Sequence, residues 1–314
     1  MKNKIFAIFC TFAFSVNIKV SPYLQDASPH EITIMWETDS NEQSIVEYGL
    51  NISLGNIEIG SSQISSGLSQ IHTVTILNLI SDTRYFYKVI TDDISSEISN
   101  FITPPDTHDH FSFVAMSDMQ RDNANPNKFE EVVHDGIISF FNDNYSGDIS
   151  NDLGFVLIPG DLVPTGTSYS QWEDYFFTPA TPLFSQVPVY PVFGNHEQNS
   201  DYFIKYFHLP ENGSPGFEEH WWFKDYSNVR IIGLDSNWDY QIDEQLEWID
   251  AVLSQSCEDD NIDFVFAELH HPHKSELWPA GETDFTGAII EKLENFSTTC
   301  GKPSIHFFGH THGY

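Results

Sequence analysis

Five short apolar runs in the second part of the sequence each end in side chains able to bind a metal ion. Val114-Ala115-Met116-Ser117 leads to Asp118, Phe155 to Ile158 leads to Gly160-Asp161, and Val189 to Phe193 leads to Gly194-Asn195-His196. Phe264 to Leu269 is followed by His270, and Ile305 to Phe308 by Gly309-His310-Thr311-His312. Any one of these polar residues is an ordinary turn former. Five in the same place, drawn only from Asp, Asn and His, form a pattern that turn chemistry does not explain. Asp118 and Asp161 are hard ligands for a divalent or trivalent ion. A carboxylate has two oxygens and can bridge ions about 3.5–4 Å apart, the spacing of two-metal hydrolases. Asn195 offers an amide oxygen, and Gln120 either a second one or a hydrogen bond to a bound water. His270, His310 and His312 add imidazoles, the last two on the same side of the chain if that stretch is extended. An oxygen and nitrogen set without a thiol disfavours a structural zinc cage and fits two ions of the Zn, Mn or Fe kind with exchangeable water positions.

Two such ions lower the pKa of a bound water, hold phosphoryl oxygens and offset the charge that builds as the nucleophile attacks. His196 is free to contact the phosphoryl group and protonate a leaving alkoxide; orienting its neighbours is the alternative role. His271 and His273, in His270-His271-Pro272-His273, are candidates for substrate contact. Glu197 reads as a loop-ordering residue and His306 as a core residue or a support behind the ligands. The charge balance bears on the substrate: 13 Lys and Arg against 46 Asp and Glu give a formal charge of -33. A field of that sign repels nucleic-acid backbones and anionic membranes, so duplex nucleic acid is not an expected partner. A small phosphorylated substrate can approach only where cations reverse the potential, and two divalent ions do that at the site itself.

Strands alternating with helices must position these residues. After about residue 108 the pattern is strand, loop, helix, with helical spacing over Phe129–Phe141, Asp243–Leu253 and Gly287–Phe296, which predicts a layered α/β domain over 108–314. In such domains the groove beyond the carboxyl ends of the strands is the usual ligand site. Residues 18–104 read differently: short alternating runs (Ile32–Trp36, Ser44–Tyr48, His72–Leu77, Tyr85–Ile90, Ile98–Ile102) separated by turn residues predict an all-β sandwich. Thr103-Pro104-Pro105-Asp106 reads as the linker, because two prolines do not fit a ladder. Lys2 and Lys4 before the apolar run Ile5–Val16 predict an export signal over 1–16, and with it a secreted or periplasmic protein. No apolar run is long enough to span a bilayer. In an oxidising compartment Cys257 and Cys300 are permitted to pair, and two unpaired buried thiols are the other reading.

With these residues laid out, the chain closely resembles the calcineurin-like metallophosphoesterases, and within them the purple acid phosphatase-like branch. Asp118, Gly160-Asp161, Gly194-Asn195-His196-Glu197, His270 and Gly309-His310-Thr311-His312 match that family's ordered motif blocks. Val20-Ser21-Pro22-Tyr23-Leu24-Gln25 to Met35-Trp36-Glu37-Thr38 resembles the fibronectin-III-like domain that precedes the catalytic domain in this branch. The resemblance implies a two-sheet β core flanked by helices. It implies that Asp118, Asp161 and His312 hold one ion, that Asp161 as bridge with Asn195, His270 and His310 holds the other, and that His196 contacts phosphate. The implied activity is phosphomonoester hydrolysis. A phosphodiesterase or nucleotide hydrolase with the same centre is the alternative, and a secreted binding module with a degenerate hydrolase domain a more distant one. Two positions depart from purple acid phosphatases: Gln120 stands where they place glycine, and Pro164 where they place the iron-binding tyrosine, so no Fe(III)–tyrosinate is expected. Family members usually continue past the Gly-His-x-His block, so an end at Gly313-Tyr314 also reads as a C-terminally truncated domain.

Overall fold

The computed structural model describes residues 16–312, so all but the last residue of the export-signal segment lies outside the described residues. The first nine strands are β1 (Ile18–Ser28), β2 (Glu31–Thr38), β3 (Ile45–Gly49), β4 (Asn56–Ile59), β5 (Ser61–Ile64), β6 (Gln70–Leu77), β7 (Arg84–Thr91), β8 (Ile94–Ser95) and β9 (Ser99–Ile102). They form two antiparallel sheets, β1-β2-β6-β5 and β4-β3-β7-β8, with β9 also on β7. Alternation in β7 sends Tyr85, Tyr87 and Val89 inward, as a period of two requires. They meet Ile32, Ile34 and Trp36 of β2 in the sandwich core.

Strand β2 is buried along nearly its whole length because both of its faces are covered. Ile32, Ile34 and Trp36 face the other sheet, while Met35 belongs to the core of the following domain. Polar contacts continue that junction. Tyr23 donates its hydroxyl to the Tyr206 carbonyl (2.6 Å) and the Gln25 amide donates to the Val189 carbonyl (3.0 Å). The buried Glu37 carboxylate accepts the hydroxyls of Ser65, Tyr169 and Tyr206. Thr103–Asp106 lies in no strand, as its prolines dictate, yet is tied in place: the Thr103 N–H donates to the Thr83 carbonyl at 3.1 Å and Thr103 Oγ1 to the Ile80 carbonyl at 2.6 Å.

The second domain holds a parallel sheet of β10 (Phe113–Ala115), β11 (Phe155–Ile158) and β12 (Val189–Pro191). It stacks on a sheet of β13 (Trp222–Tyr226), β14 (Val229–Gly233), β15 (Phe264–Glu268) and β16 (Ser304–Phe307). The Phe113 ring lies 5.1 Å from Phe266 and 5.7 Å from Phe307, so aromatic side chains fill the space between the sheets. Helices Asp243–Glu258 and Asp284–Cys300 cover the outer face of the second sheet through Ile249, Leu253, Ile289 and Leu293. A disulfide between Cys257 and Cys300 joins their last turns. Both helices extend beyond the apolar-periodic centre visible in the sequence. Thr283, whose hydroxyl accepts the Phe285 N–H, caps the start of the second, and Gly301 in the left-handed region (φ 72°) ends it. Among the described strands of this domain, β13 alone runs antiparallel to its neighbour. The carboxyl ends of β10, β11, β12, β15 and β16 therefore carry the five polar termini to adjoining loops.

Candidate metal centre

The loop after β11 is the pivot. Gly160 adopts φ 82°, and a Cβ there would lie 2.7 Å from both the Gly194 Cα and the His270 Nδ1, so only glycine lets the three loops approach. Asp161 follows at φ 59°, with Asp118, His310 and His312 also in the left-handed region at 57°, 72° and 48°. Asp and His tolerate this region better than most residues, and backbone strain of this kind concentrates at functional sites. Glu197 holds the loops together from below. Its fully buried carboxylate accepts the N–H groups of Gly194 (2.7 Å), Leu162 (2.8 Å) and Asp161 (2.9 Å). Burial, reinforced by the Asp161 charge, raises its pKa to about 7.

His270 is buried. Its Nδ1 lies 2.8 Å from the Pro159 carbonyl, a contact that requires an Nδ1–H and leaves Nε2 as the free lone pair. That Nε2 stands 3.1 Å from Asp161 Oδ2, 3.2 Å from Asn195 Oδ1 and 3.2 Å from His310 Nδ1. Asp161, His270 and His310 each offer a ligand atom, and these atoms all lie within 4.8 Å of one another. A second group adjoins the first. His312 Nε2 lies 3.3 Å from Asp118 Oδ1 and 3.3 Å from Gln120 Nε2, which is itself 3.4 Å from Asp161 Oδ2. Asp118 is steadied by Ser117 Oγ (2.7 Å) and by the His310 N–H, at 2.9 Å from both carboxylate oxygens. Asp161 Oδ2 thus borders both groups.

These residues fit metal ions. Carboxylate, amide and imidazole atoms converge where acceptors outnumber donors, an arrangement that costs free energy until a cation or proton sits among them. The buried Gln120 Oε1 has no hydrogen-bond partner. The protonation tendencies carry the same tension. Burial alone would lower the His270 pKa, but the Asp161 carboxylate, as hydrogen-bond partner and as charge, raises it. Burial raises the Asp161 pKa, and His270 together with the His196 N–H reverses this and brings it down. His310 is pushed down to about 4 and His271 to about 3, by burial first and then by the charge of His270.

His196 stands beside this set. Its backbone N–H donates to Asp161 Oδ1 (2.9 Å), and its Nδ1 lies 2.7 Å from the Pro164 carbonyl. Its Nε2 is 3.9 Å from Asp161 Oδ2, on a side chain 38% exposed. The structure therefore gathers Asp118, Gln120, Asp161, Asn195, His196, His270, His310 and His312. His271 sits at the edge, with its Nδ1 3.0 Å from Ser236 Oγ and its ring 4.4 Å from that of His310. His273 is turned away, toward the Thr283 carbonyl and Gly287. Sequence reasoning missed the carbonyls of Pro159 and Pro164, which fix two imidazoles, because every residue type carries a carbonyl. It also missed Trp278, whose ring packs 4.7 Å from His310, and Asn237, whose amide donates to the Gly194 carbonyl at 3.3 Å.

Residues 106–314 match the calcineurin-like phosphoesterase family, and residues 18–103 match the purple acid phosphatase N-terminal domain. An uncharacterized protein of Mycobacterium tuberculosis, found in two strains, is 26% identical over 223 residues, covering 62% of this chain and 41% of that protein. The chain thus spans less than half the length of these curated relatives. Among solved structures, a purple acid phosphatase from yellow lupin seeds matches with a TM-score of 0.68 at 19% identity, covering 93% of this chain and 58% of the lupin chain. A structure of PhoD matches at 0.64 and 10% identity, covering 98% of this chain and 73% of that one.

Proposed function

We propose, from the premise that this chain belongs to the calcineurin-like phosphoesterases, that it hydrolyses phosphomonoesters, with His196 supplying the proton to the leaving group. The family's chemistry is metal-dependent hydrolysis of phosphoesters at a dinuclear centre. One ion set is Asp118, Asp161 and His312, with Gln120 beside it; the other is Asp161, Asn195, His270 and His310. Bound there, ions of the Zn, Mn or Fe kind would polarise phosphoryl oxygens and lower the pKa of water. The observation that carries the reading is the place of Asp161: one carboxylate oxygen borders both sets and lies 3.9 Å from the Nε2 of His196. With Nδ1–H committed to the Pro164 carbonyl, the exchangeable proton of His196 sits on Nε2, where it can be given to a departing alkoxide and recovered from water. Asp161, as acceptor of the His196 N–H, and Glu197, as acceptor of the Asp161 N–H, hold the backbone of that geometry. Pro164 brings no phenolate, so no iron–tyrosinate is expected at the centre. The match of residues 18–103 to a purple acid phosphatase domain favours a phosphatase over a diesterase. The disulfide supports an exported protein, since such bridges persist in oxidising compartments.

The test is to load the protein with Mn or Zn, count bound metal, and compare an aryl phosphomonoester with a bis-aryl phosphodiester. About two metals per chain and faster monoester turnover are expected. His196→Ala should cut turnover roughly 10²-fold or more, the scale of acid–base help, with the metals retained. Faster diester turnover would reassign the substrate. Less than one metal per chain with no turnover of either ester would remove the enzyme reading.

A further inference from the structure

A groove of about 560 Å³ opens beside the ion set of Asp118 and His312, lined among others by Asp118, Gln120, Arg121, Tyr175 and His312. The Arg121 guanidinium lies over the Tyr175 ring, 4.7 Å from its centroid. The sequence holds three arginines among 46 acidic residues. Arg84 is paired with Asp148 and Arg230 with Asp225, whereas among the described residues Arg121 takes part in no ion pair. Where acids outnumber bases so heavily, an arginine without a carboxylate is the exception, and this one stands three residues after Asp118. Asp122 accepts the N–H groups of Ala124 and Asn125; Glu130 and Asp174 also line the groove, and among the described residues none of these carboxylates pairs with Arg121. Tyr175 sits on the π-helical stretch Trp172–Phe177, and the lining also includes Val132, at the start of a second such stretch, Val132–Ile138. Wide turns of this kind are enriched at functional sites.

We propose that Arg121, stacked on Tyr175, binds a second anionic group, a carboxylate or a phosphate carried by the leaving group of the substrate. This rests on the phosphoesterase reading above and names its substrate class: phosphomonoesters of anionic alcohols, or diphosphates, rather than simple aryl or alkyl phosphates. A planar guanidinium fits either anion bidentately, and the aromatic face beneath pre-orients it. Arg121 is a specificity-determining residue here; bond breaking takes place at the metal centre.

Three esters distinguish the sources: an aryl phosphate without a second charge, a phosphorylated hydroxy acid, and a nucleoside 5′-diphosphate. In the metal-loaded protein the ratio of kcat/KM for the better charged ester to that for the aryl phosphate should fall roughly 10- to 100-fold in Arg121→Ala, the scale of a lost charged hydrogen bond, through KM rather than kcat. Arg121→Lys should fall between the two. A binding arm needs no turnover: methylenediphosphonate and methylphosphonate are titrated calorimetrically into the metal-loaded wild type and Arg121→Ala. Preference for the diphosphonate should be lost in the variant by the same factor. A preference or a kcat/KM ratio unchanged by Arg121→Ala overturns the proposal. Absence of turnover with all three esters, alongside an Arg121-dependent binding preference, would instead count against the enzymatic reading alone.

Discussion

The two halves of the candidate centre are built to different degrees of order. Around His270 and Asp161 the side chains are 0% and 2% exposed, and each has its geometry set by a partner outside the cluster. Pro159 fixes the His270 ring, while the Glu197 carboxylate ties the Asp161, Leu162 and Gly194 amides together. Among the described residues the imidazole of His312, which is 63% exposed, meets Asp118 and Gln120 at 3.3 Å each, within the site itself. A pre-organised set loses less entropy when it takes up an ion, and partners behind metal ligands raise affinity by about 10- to 100-fold. The buried half should therefore bind first and release last, and the ion of the open half should be the one that exchanges.

Asp161 offers the strongest test, because it belongs to both halves. Asp161→Asn keeps the shape and an acceptor for the His196 N–H but removes the bridging charge. Both affinities should fall together, leaving less than one metal per chain and no turnover. If metal analysis finds one ion still bound, Asp161 serves a single half and the bridge is wrong. Glu197→Ala attacks the support behind the ligands, which holds the buried half and, through the Asp161 N–H, the bridge. It leaves the Asp161, Leu162 and Gly194 N–H groups without their acceptor. At about 1–3 kcal/mol for each buried unsatisfied group, with partial relief from water, a loss of about 3 kcal/mol should appear in denaturant unfolding of the apo protein. An unchanged stability would mean that these loops are held by packing instead.

The contrast between the halves also explains what the sequence revealed. The convergence of Asp118, Asp161, Asn195, His270, His310 and His312 was legible because side-chain type and position after an apolar run are written in the sequence. The sandwich and the layered α/β domain were legible for the same reason, since periods of two and 3.6 mark which face is buried. The difference in order between the halves was not legible. It comes from the Pro159 carbonyl behind His270, and a backbone carbonyl leaves no residue-type signal. β13 escaped notice because Trp222–Tyr226 carries charge at Lys224 and Asp225 in its middle. Its pairing with β14 is decided by tertiary contact, not by alternation.

His312→Ala acts on the open half only. Metal content should drop from about two per chain to about one, with the midpoint of thermal unfolding scarcely moved because the side chain is mostly exposed. Loss of both ions would show that the halves are cooperative, and would break the distinction drawn here.

The smallest effect, and the one that sharpens the comparison most, concerns Gln120. Its Nε2 is set 3.4 Å from Asp161 Oδ2 and 3.3 Å from His312 Nε2, while its buried Oε1 has no partner. The two ends of an amide are told apart only by their hydrogen bonds. Turning this one over would give the oxygen to the ion-binding side and leave the nitrogen where nothing demands a donor. As an oxygen ligand Gln120 would complete the open set, and Gln120→Leu, close in size, should weaken that ion by roughly tenfold, about 1.4 kcal/mol, without moving the affinity of the buried half. As a donor to Asp161 it would instead steady the bridge, and Gln120→Leu would weaken both ions equally. Metal titration of the apo protein, resolving two binding steps, separates these outcomes. A change confined to the weaker step assigns the amide oxygen to the open half, and an equal change in both steps returns Gln120 to the support of Asp161.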